Sequence, residues 1–244
     1  MIEKLEEFDF KKGRSLAARY TVMEKLGAGW EGEVYKVQEL HTGICRAAKF
    51  FYPHRNQKLK VSTRYAKKLN KLAFCPIVMN YHTHEILTIR GHKVACLISE
   101  LIEGEILSTF IKRHRGGRIG VFQGLHLLYA LALGVESIHL NGEYHGDLHL
   151  DNIIIKRAGL GFDLKVIDMH HWGDSKKDNR DEDIIKMINL FFECLGGQKT
   201  YKNHPQEIKD IIKGLKRGLI LKEYKTVSHL RVHLETLNWR PNGK

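Results

Sequence analysis

Residues 144–152 read Tyr-His-Gly-Asp-Leu-His-Leu-Asp-Asn, an H-x-D-x-x-x-x-N run that sets an acid, Asp147, five residues before an amide, Asn152. On one short loop such a pair suits phosphoryl transfer. The acid takes or orients the proton of an acceptor hydroxyl, and the amide holds a metal ion. His145, Asp147, His149 and Asp151 also alternate, as in some zinc sites, but no cysteine or third histidine completes a familiar ligand set.

Three further features lie in order around this run. Gly27-x-Gly29-x-x-Gly32-x-Val34 falls between two candidate strands, Tyr20–Leu26 and Glu33–Val37. Glycines there let the backbone approach phosphates and aim amides at them. A strand on both sides argues against a dinucleotide fingerprint, in which a helix follows. Glu31, at the tip, is expected to face solvent, since an acid would repel phosphates. Lys49 lies seventeen residues past Gly32 on a third strand, Cys45–Phe51, and Asp168 follows a short strand in Val166-Ile-Asp-Met169.

Together the glycine loop, Ala47-Ala48-Lys49, the 144–152 run and Asp168 resemble the protein-kinase-like superfamily over about residues 20–235. The resemblance implies an α+β, bilobal fold. An N-terminal extension (1–19) would precede an N-lobe (20–104) of five antiparallel strands and one helix, and a mainly helical C-lobe (105–244). It also implies ATP and Mg2+. Gly27, Gly29, Gly32 and Val34 would cover the nucleotide, Lys49 would pair its α/β-phosphates, and Asn152 and Asp168 would hold magnesium, with Asp147 as base. Adenine would meet backbone near Glu100–Ile102, with Ser99 at the rear of its pocket and Glu103 or Glu105 reaching the ribose. His149 stands where many protein kinases carry lysine, in reach of the transferred phosphate or the acceptor. His170 and His171 receive no role.

The departures from the family concern the acceptor and control. No Asp or Glu occurs between Glu39 and Glu85, so the helix expected at about 57–72 lacks the usual glutamate. Its position falls near Tyr65, and another group, such as Asp168, must orient Lys49. Gly146 replaces the arginine of H-R-D, and Ser175 is the one hydroxyl between Met169 and Glu182, so ordering by phosphorylation is not expected. Asp168-Met-His170 lacks the glycine of D-F-G. The H-G-D-x-H form resembles aminoglycoside, choline and lipopolysaccharide-core kinases, whereas the glycine loop resembles eukaryotic-type protein kinases. Three readings stay open: an atypical Ser/Thr protein kinase with a hydroxyl-bearing protein acceptor leads, a small-molecule, sugar or lipid-linked-sugar kinase is second, and a pseudokinase scaffold third.

Periodicity supplies the remaining elements: strands at Ile86–Ile89, Val94–Ser99, Ile153–Ile155 and Leu164–Ile167, and helices at 121–140, 183–195, about 205–219 and about 226–237. The 183–195 helix should open on Asp183 and stop at Gly196-Gly197. Lys and Arg total 40 against 28 Asp and Glu, a net charge of +12, and the excess gathers in the acid-free stretch and at Lys112–Arg118. This reads as a solvated basic face that favours ATP and would suit an acidic partner; the lack of interleaved aromatics argues against nucleic acid. The apolar runs are expected to fall short of the roughly 20 residues that span a bilayer. An acidic N-terminus and four scattered cysteines without C-x-x-C fit a reduced, cytoplasmic protein.

Overall fold

The computed structural model describes residues 5–159, 161–173 and 175–238. The first four residues of the expected extension and the last six of the expected C-lobe thus lie outside the described residues. The chain divides into two compact units, Met1–Phe74 with Met79–Ile102, and Cys75–Val78 with Glu103–Lys244.

The first unit is built on a six-stranded antiparallel sheet, order β1-β2-β3-β4-β6-β5. Its strands are β1 (Ser15–Leu16), β2 (Tyr20–Ala28), β3 (Gly32–Glu39), β4 (Cys45–Phe51), β5 (Tyr81–Ile89) and β6 (His92–Glu100). All five expected strands are present, and the two-residue β1 extends them by pairing Leu16 with Tyr20 at the edge. One helix, α1 (Lys60–Lys71), buries Ser62, Tyr65, Ala66 and Leu69 and turns Lys60, Lys67 and Lys71 outward, the stripe of a helix lying on a sheet. Asn56 starts it: its Oδ1 accepts the amides of Val61 and Ser62, at 3.0 and 3.1 Å.

Residues 5–10 do not trail away from this unit. Phe8 is fully buried and stacks on Tyr52 at 5.4 Å, while Phe10 packs edge-on against Phe50 at 4.9 Å. Each such burial stabilises by roughly 1.5–3 kcal/mol. A polar knot lies beneath them. Glu33, 1% exposed, accepts the Phe8 amide and the hydroxyls of Tyr35 and Tyr52, and pairs with Lys25 at 3.2 Å.

The second unit carries a three-stranded sheet, order β7-β8-β9: β7 (Glu105–Ile106), β8 (Ile153–Ala158) and β9 (Gly161–Val166). Its helices are α2 (Leu107–Lys112), α3 (Val121–Leu140), α4 (Lys176–Cys194), α5 (Gln198–Tyr201), α6 (Gln206–Ile212), α7 (Arg217–Glu223) and α8 (Val227–Glu235). The helix expected at 205–219 is two, because Lys213, Gly214 and Leu215 all take positive φ between them. The helix expected at 183–195 begins seven residues earlier, at Lys176, where Ser175 caps it by accepting the Asp178 amide. Asp183 therefore lies inside α4 and does not open it.

Helix α3 corrects the reading of apolar runs. By length and composition alone it could cross a membrane. In this unit it buries Leu127, Leu128, Leu131, Val135 and Ile138, and it packs against α4, α8 and β9. Such a stripe is what a central core helix also requires.

The Glu33 knot gives the first unit an acid-dependent stability. Burial alone would push the Glu33 carboxyl up, but hydrogen bonds from Tyr35, the Phe8 amide and Lys25 outweigh it and hold it below its ordinary value. A group lowered on folding contributes stability that is present above its unfolded value, about 4.3. That contribution is lost as pH falls through the folded value. Urea unfolding of the chain should thus show stability declining below about pH 4.3, and Glu33→Gln should decline less steeply. Equal slopes for the two proteins would remove Glu33 as the source.

Candidate active site

The 144–152 run enters from α3 and leaves into β8, and a buried carboxylate holds it in shape. Asp183, 1% exposed on α4, accepts the amides of His145 and Gly146 at 2.7 and 2.9 Å and the His139 ring N–H at 2.9 Å. Gly146 can answer this pull because its φ is +87°. A Cβ there would sit 2.9 Å from the Tyr144 ring and 3.0 Å from the His170 carbonyl oxygen. The residue that stands in place of an arginine is therefore required by backbone geometry.

His145 ties the loop to the chain around Asp168. Its Nδ1 accepts the Asp147 amide at 3.2 Å, so the proton resides on Nε2, which donates to the Ile167 carbonyl at 3.0 Å. The Ile167 amide in turn reaches the Asn152 carbonyl at 3.0 Å, and the His170 amide reaches the His145 carbonyl at 2.9 Å. Asp168 lies between these anchors with φ +55°. A non-glycine residue persists in that region when its surroundings over-determine it, as happens at functional sites.

Within this frame Asn152, 7% exposed, donates through Nδ2 to the Asp147 carbonyl at 2.9 Å and to its carboxylate Oδ2 at 3.2 Å. The amide oxygen of Asn152 remains the atom suited to a hard cation, and the Asp168 carboxylate is a donor of the same class. Oxygen donors of this kind fit magnesium. His149 Nδ1 accepts the Asp151 amide, and its Nε2 stands 3.5 Å from Asp147 Oδ2. Asp151 is bonded to the Ser108 hydroxyl.

Tyr144 and Trp172 hold residues 170–173 against the loop, and the sequence reading singled out neither. The Tyr144 hydroxyl accepts the Trp172 amide at 3.0 Å, and the Trp172 indole N–H donates to the Gly146 carbonyl at 2.5 Å. The indole stays 63% exposed, with the His170 ring 4.2 Å away. No spacing rule links residues 144 and 172; only the fold brings them together.

The first unit carries the glycine loop and Lys49. Gly32 pairs with Phe51, and a Cβ on it would fall 1.8 Å from the Phe50 carbonyl oxygen. A Cβ on Gly27 or Gly29 would meet no atom of the chain, so packing within the protein does not demand glycine there. That pattern suits a backbone approached by a ligand. Val34 pairs with Lys49 across β3 and β4. Lys49 is 8% exposed, and its Nζ lies 2.8 Å from Glu31 and 5.1 Å from the ring centroids of Phe51 and Tyr65. The expectation that Glu31 faces solvent is corrected: it turns back onto the lysine. Buried Ser99 pairs with Ala47, the Glu100 carboxylate accepts the Asn80 amide, and Ile102 ends the unit. Glu103 pairs with Lys156 and Glu105 with Arg113, which selects neither for a ribose.

Along the chain, a sheet with a glycine loop and a strand lysine precedes a helical unit with an acid–amide loop and a third acid after a short strand, the order of parts found in kinases. The protein kinase domain model matches residues 20–189, and the chain belongs to that family. It is 27% identical over 153 residues to the serine/threonine-protein kinase pkn2 of Myxococcus xanthus, covering 63% of this chain and 18% of that protein. It is 31% identical over 165 residues to CBL-interacting protein kinase 29 of rice (Oryza sativa subsp. japonica), covering 64% and 36%. The chain thus spans well under half the length of these two relatives. The PknI kinase domain of Mycobacterium tuberculosis, solved as a C20A_R136A double mutant, superposes with a TM-score of 0.68 at 16% identity over 95% of this chain and 98% of that one, a shared fold. The fold is accordingly kinase-like, with a sheet-rich N-lobe and a helical C-lobe.

Asp183→Ala should unsettle the loop from a distance. It would leave the buried His145 amide and the part-buried Gly146 amide without their acceptor, each costing about 1–3 kcal/mol. Urea unfolding should show a loss of about 2–6 kcal/mol, and hydrogen exchange at His145 and Gly146 should rise. Unchanged protection there would show that Asp183 does not hold the loop.

Proposed function

We propose that the chain is an ATP-dependent phosphotransferase that moves the γ-phosphate of Mg-ATP to a serine or threonine hydroxyl of a protein. The observation that carries this reading is the hydrogen-bonded frame around His145, in which Asp147, Asn152 and the anchors of Asp168 share one set of partners. Family membership and the Ser/Thr kinase relatives support the protein acceptor.

The roles follow from chemistry. Asn152 binds one oxygen of the Asp147 carboxylate, fixing its plane and leaving the other oxygen to take the acceptor's hydroxyl proton as the O–P bond forms. Amides of the Gly27–Gly32 loop and the Lys49 ammonium bind phosphate oxygens. Asn152 and Asp168 would hold magnesium, which neutralises charge on the phosphates. His149, beside Asp147, is placed to meet the acceptor or the transferred group.

A second reading, a small-molecule or sugar acceptor, is favoured by one observation. With α4 starting at Lys176, only residues 169–175 separate Asp168 from the helix. That segment offers little surface to dock a peptide, and its exposed Trp172 indole could stack on a sugar ring.

Purified protein with Mg-ATP tests these readings by intact mass and ADP release. Phosphate on Ser or Thr side chains supports the protein acceptor, and ADP formed only when a small alcohol is added supports the second reading. Asp147→Asn should lower turnover about 10²–10⁴-fold while sparing nucleotide affinity. Asp168→Asn should in addition weaken magnesium-dependent nucleotide binding. Full turnover in the Asp147 variant would overturn the base assignment, and nucleotide bound without ADP in the wild type would favour a scaffold.

A further inference from the structure

Protein kinases orient the strand lysine with a glutamate on the following helix. Here α1 has no acid to offer, since none occurs between Glu39 and Glu85, and Tyr65 holds the corresponding stretch with its ring 5.1 Å from Lys49 Nζ. Lys49 nevertheless has a carboxylate beside it: Glu31 Oε2, 2.8 Å away, from the glycine loop itself.

This contact is built in by the backbone around it. The Glu31 carbonyl accepts the Tyr52 amide at 2.9 Å, and the Gly29 amide reaches the Gly32 carbonyl at 2.8 Å, closing the turn that carries Glu31. The Arg55 guanidinium lies 4.1 Å over the Trp30 ring, one residue before it. Gly32, one residue after it, is locked against β4 by a fit that admits no Cβ. Glu31 thus sits on a turn tied on both sides to β4 and its extension, the strand that presents Lys49. The side chains of the pair are 10% and 22% exposed, so water screens them less than a surface ion pair. Phe51 and Tyr65 add aromatic faces to the ammonium.

We propose that Glu31 is the positioning residue for Lys49, supplying from the glycine loop the carboxylate that α1 lacks. The inference rests on the phosphotransferase reading above. The bond to Glu31 fixes the direction in which the Lys49 ammonium is presented to phosphate oxygens. The acid at the loop tip is thereby reconciled with a phosphate site, because its charge is spent on the lysine. Loop and lysine then move as one, so that phosphates which draw the loop's amides also meet a lysine already aimed.

The test measures kcat for ADP formation and nucleotide Kd for the intact chain, with wild type, Glu31→Gln and Asp147→Asn side by side. Removing one charge-assisted bond from the lysine should lower kcat of Glu31→Gln about 10–100-fold, with nucleotide Kd held within about twofold. Turnover kept within that twofold margin overturns the proposal. So does a rise in turnover with tighter nucleotide binding, which would make Glu31 a competitor of the phosphates. A thermal double-mutant cycle of Glu31→Gln with Lys49→Met reads the pair without turnover. Non-additive Tm shifts are expected, because each single change strips one charge from a largely buried pair; additive shifts overturn the contact. Should Asp147→Asn keep full turnover, the base assignment fails while the Glu31 result stands on its own change. No ADP from wild type overturns the phosphotransferase reading, and with it the role given to Glu31, leaving the cycle to decide the contact.

Discussion

The Asp183 carboxylate lies in the interior of the second unit, where an acid is costly unless donors surround it. It has three: the amides of His145 and Gly146 and the ring of His139. Once these are engaged, the backbone at 145–146 has one way to run, and everything downstream inherits that course. His145 is turned so that one nitrogen takes the Asp147 amide and the other donates to Ile167. Asn152 then closes on Asp147, and Asp168 is held between anchored neighbours in a left-handed conformation it would not choose alone. The acids and amide that could handle phosphate and metal are thus set by a residue that touches none of the chemistry.

The first unit uses the same device on another segment. Glu33 is almost wholly buried and accepts an amide from residue 8 and two phenols. Burial followed by the Glu33 charge pushes the Tyr52 phenol up to about 12, so it stays a donor. Both carboxylates fasten a stretch of chain that has few regular hydrogen bonds of its own. They differ in what they fasten. Glu33 clamps the Phe8–Phe10 segment over the strand that leaves the glycine loop, whereas Asp183 shapes the loop that holds the proposed base. In each case the acid gives direction to packing that apolar contact alone would leave undirected.

Much of this was legible from residue order. The H-x-D-x-x-x-x-N run, the glycine spacing and the lysine strand are local patterns, and the strands and long helices follow from period. The parts that escaped depend on distant pairs. Asp183 reads as one more acid at a helix start until the loop 38 residues away is seen to point its amides at it. Tyr144 and Trp172 meet across 28 residues. Phe8 and Glu33 meet across 25, which is why residues 5–10 read as an extension. Glu31 misled for a different reason. Exposure at a loop tip is a fair default, and only the ties at Tyr52, Phe51 and Arg55 reveal that this tip is folded onto β4.

The same frame bears on control. In kinases that are ordered by phosphorylation, an arginine before the catalytic acid waits for a phosphate on a long segment. Gly146 offers no side chain, and its geometry leaves no room for one. The segment after Asp168 is short, and Ser175 is occupied in capping α4. Fixed contacts hold this region: the Tyr144 hydroxyl and the Trp172 indole staple residues 170–173 to the loop, and Asp183 holds it from behind. These are hydrogen bonds of the unmodified chain, formed on folding. A loop held this way takes its shape from contacts formed on folding, and changes that loosen Asp183 or Tyr144 are expected to reach it.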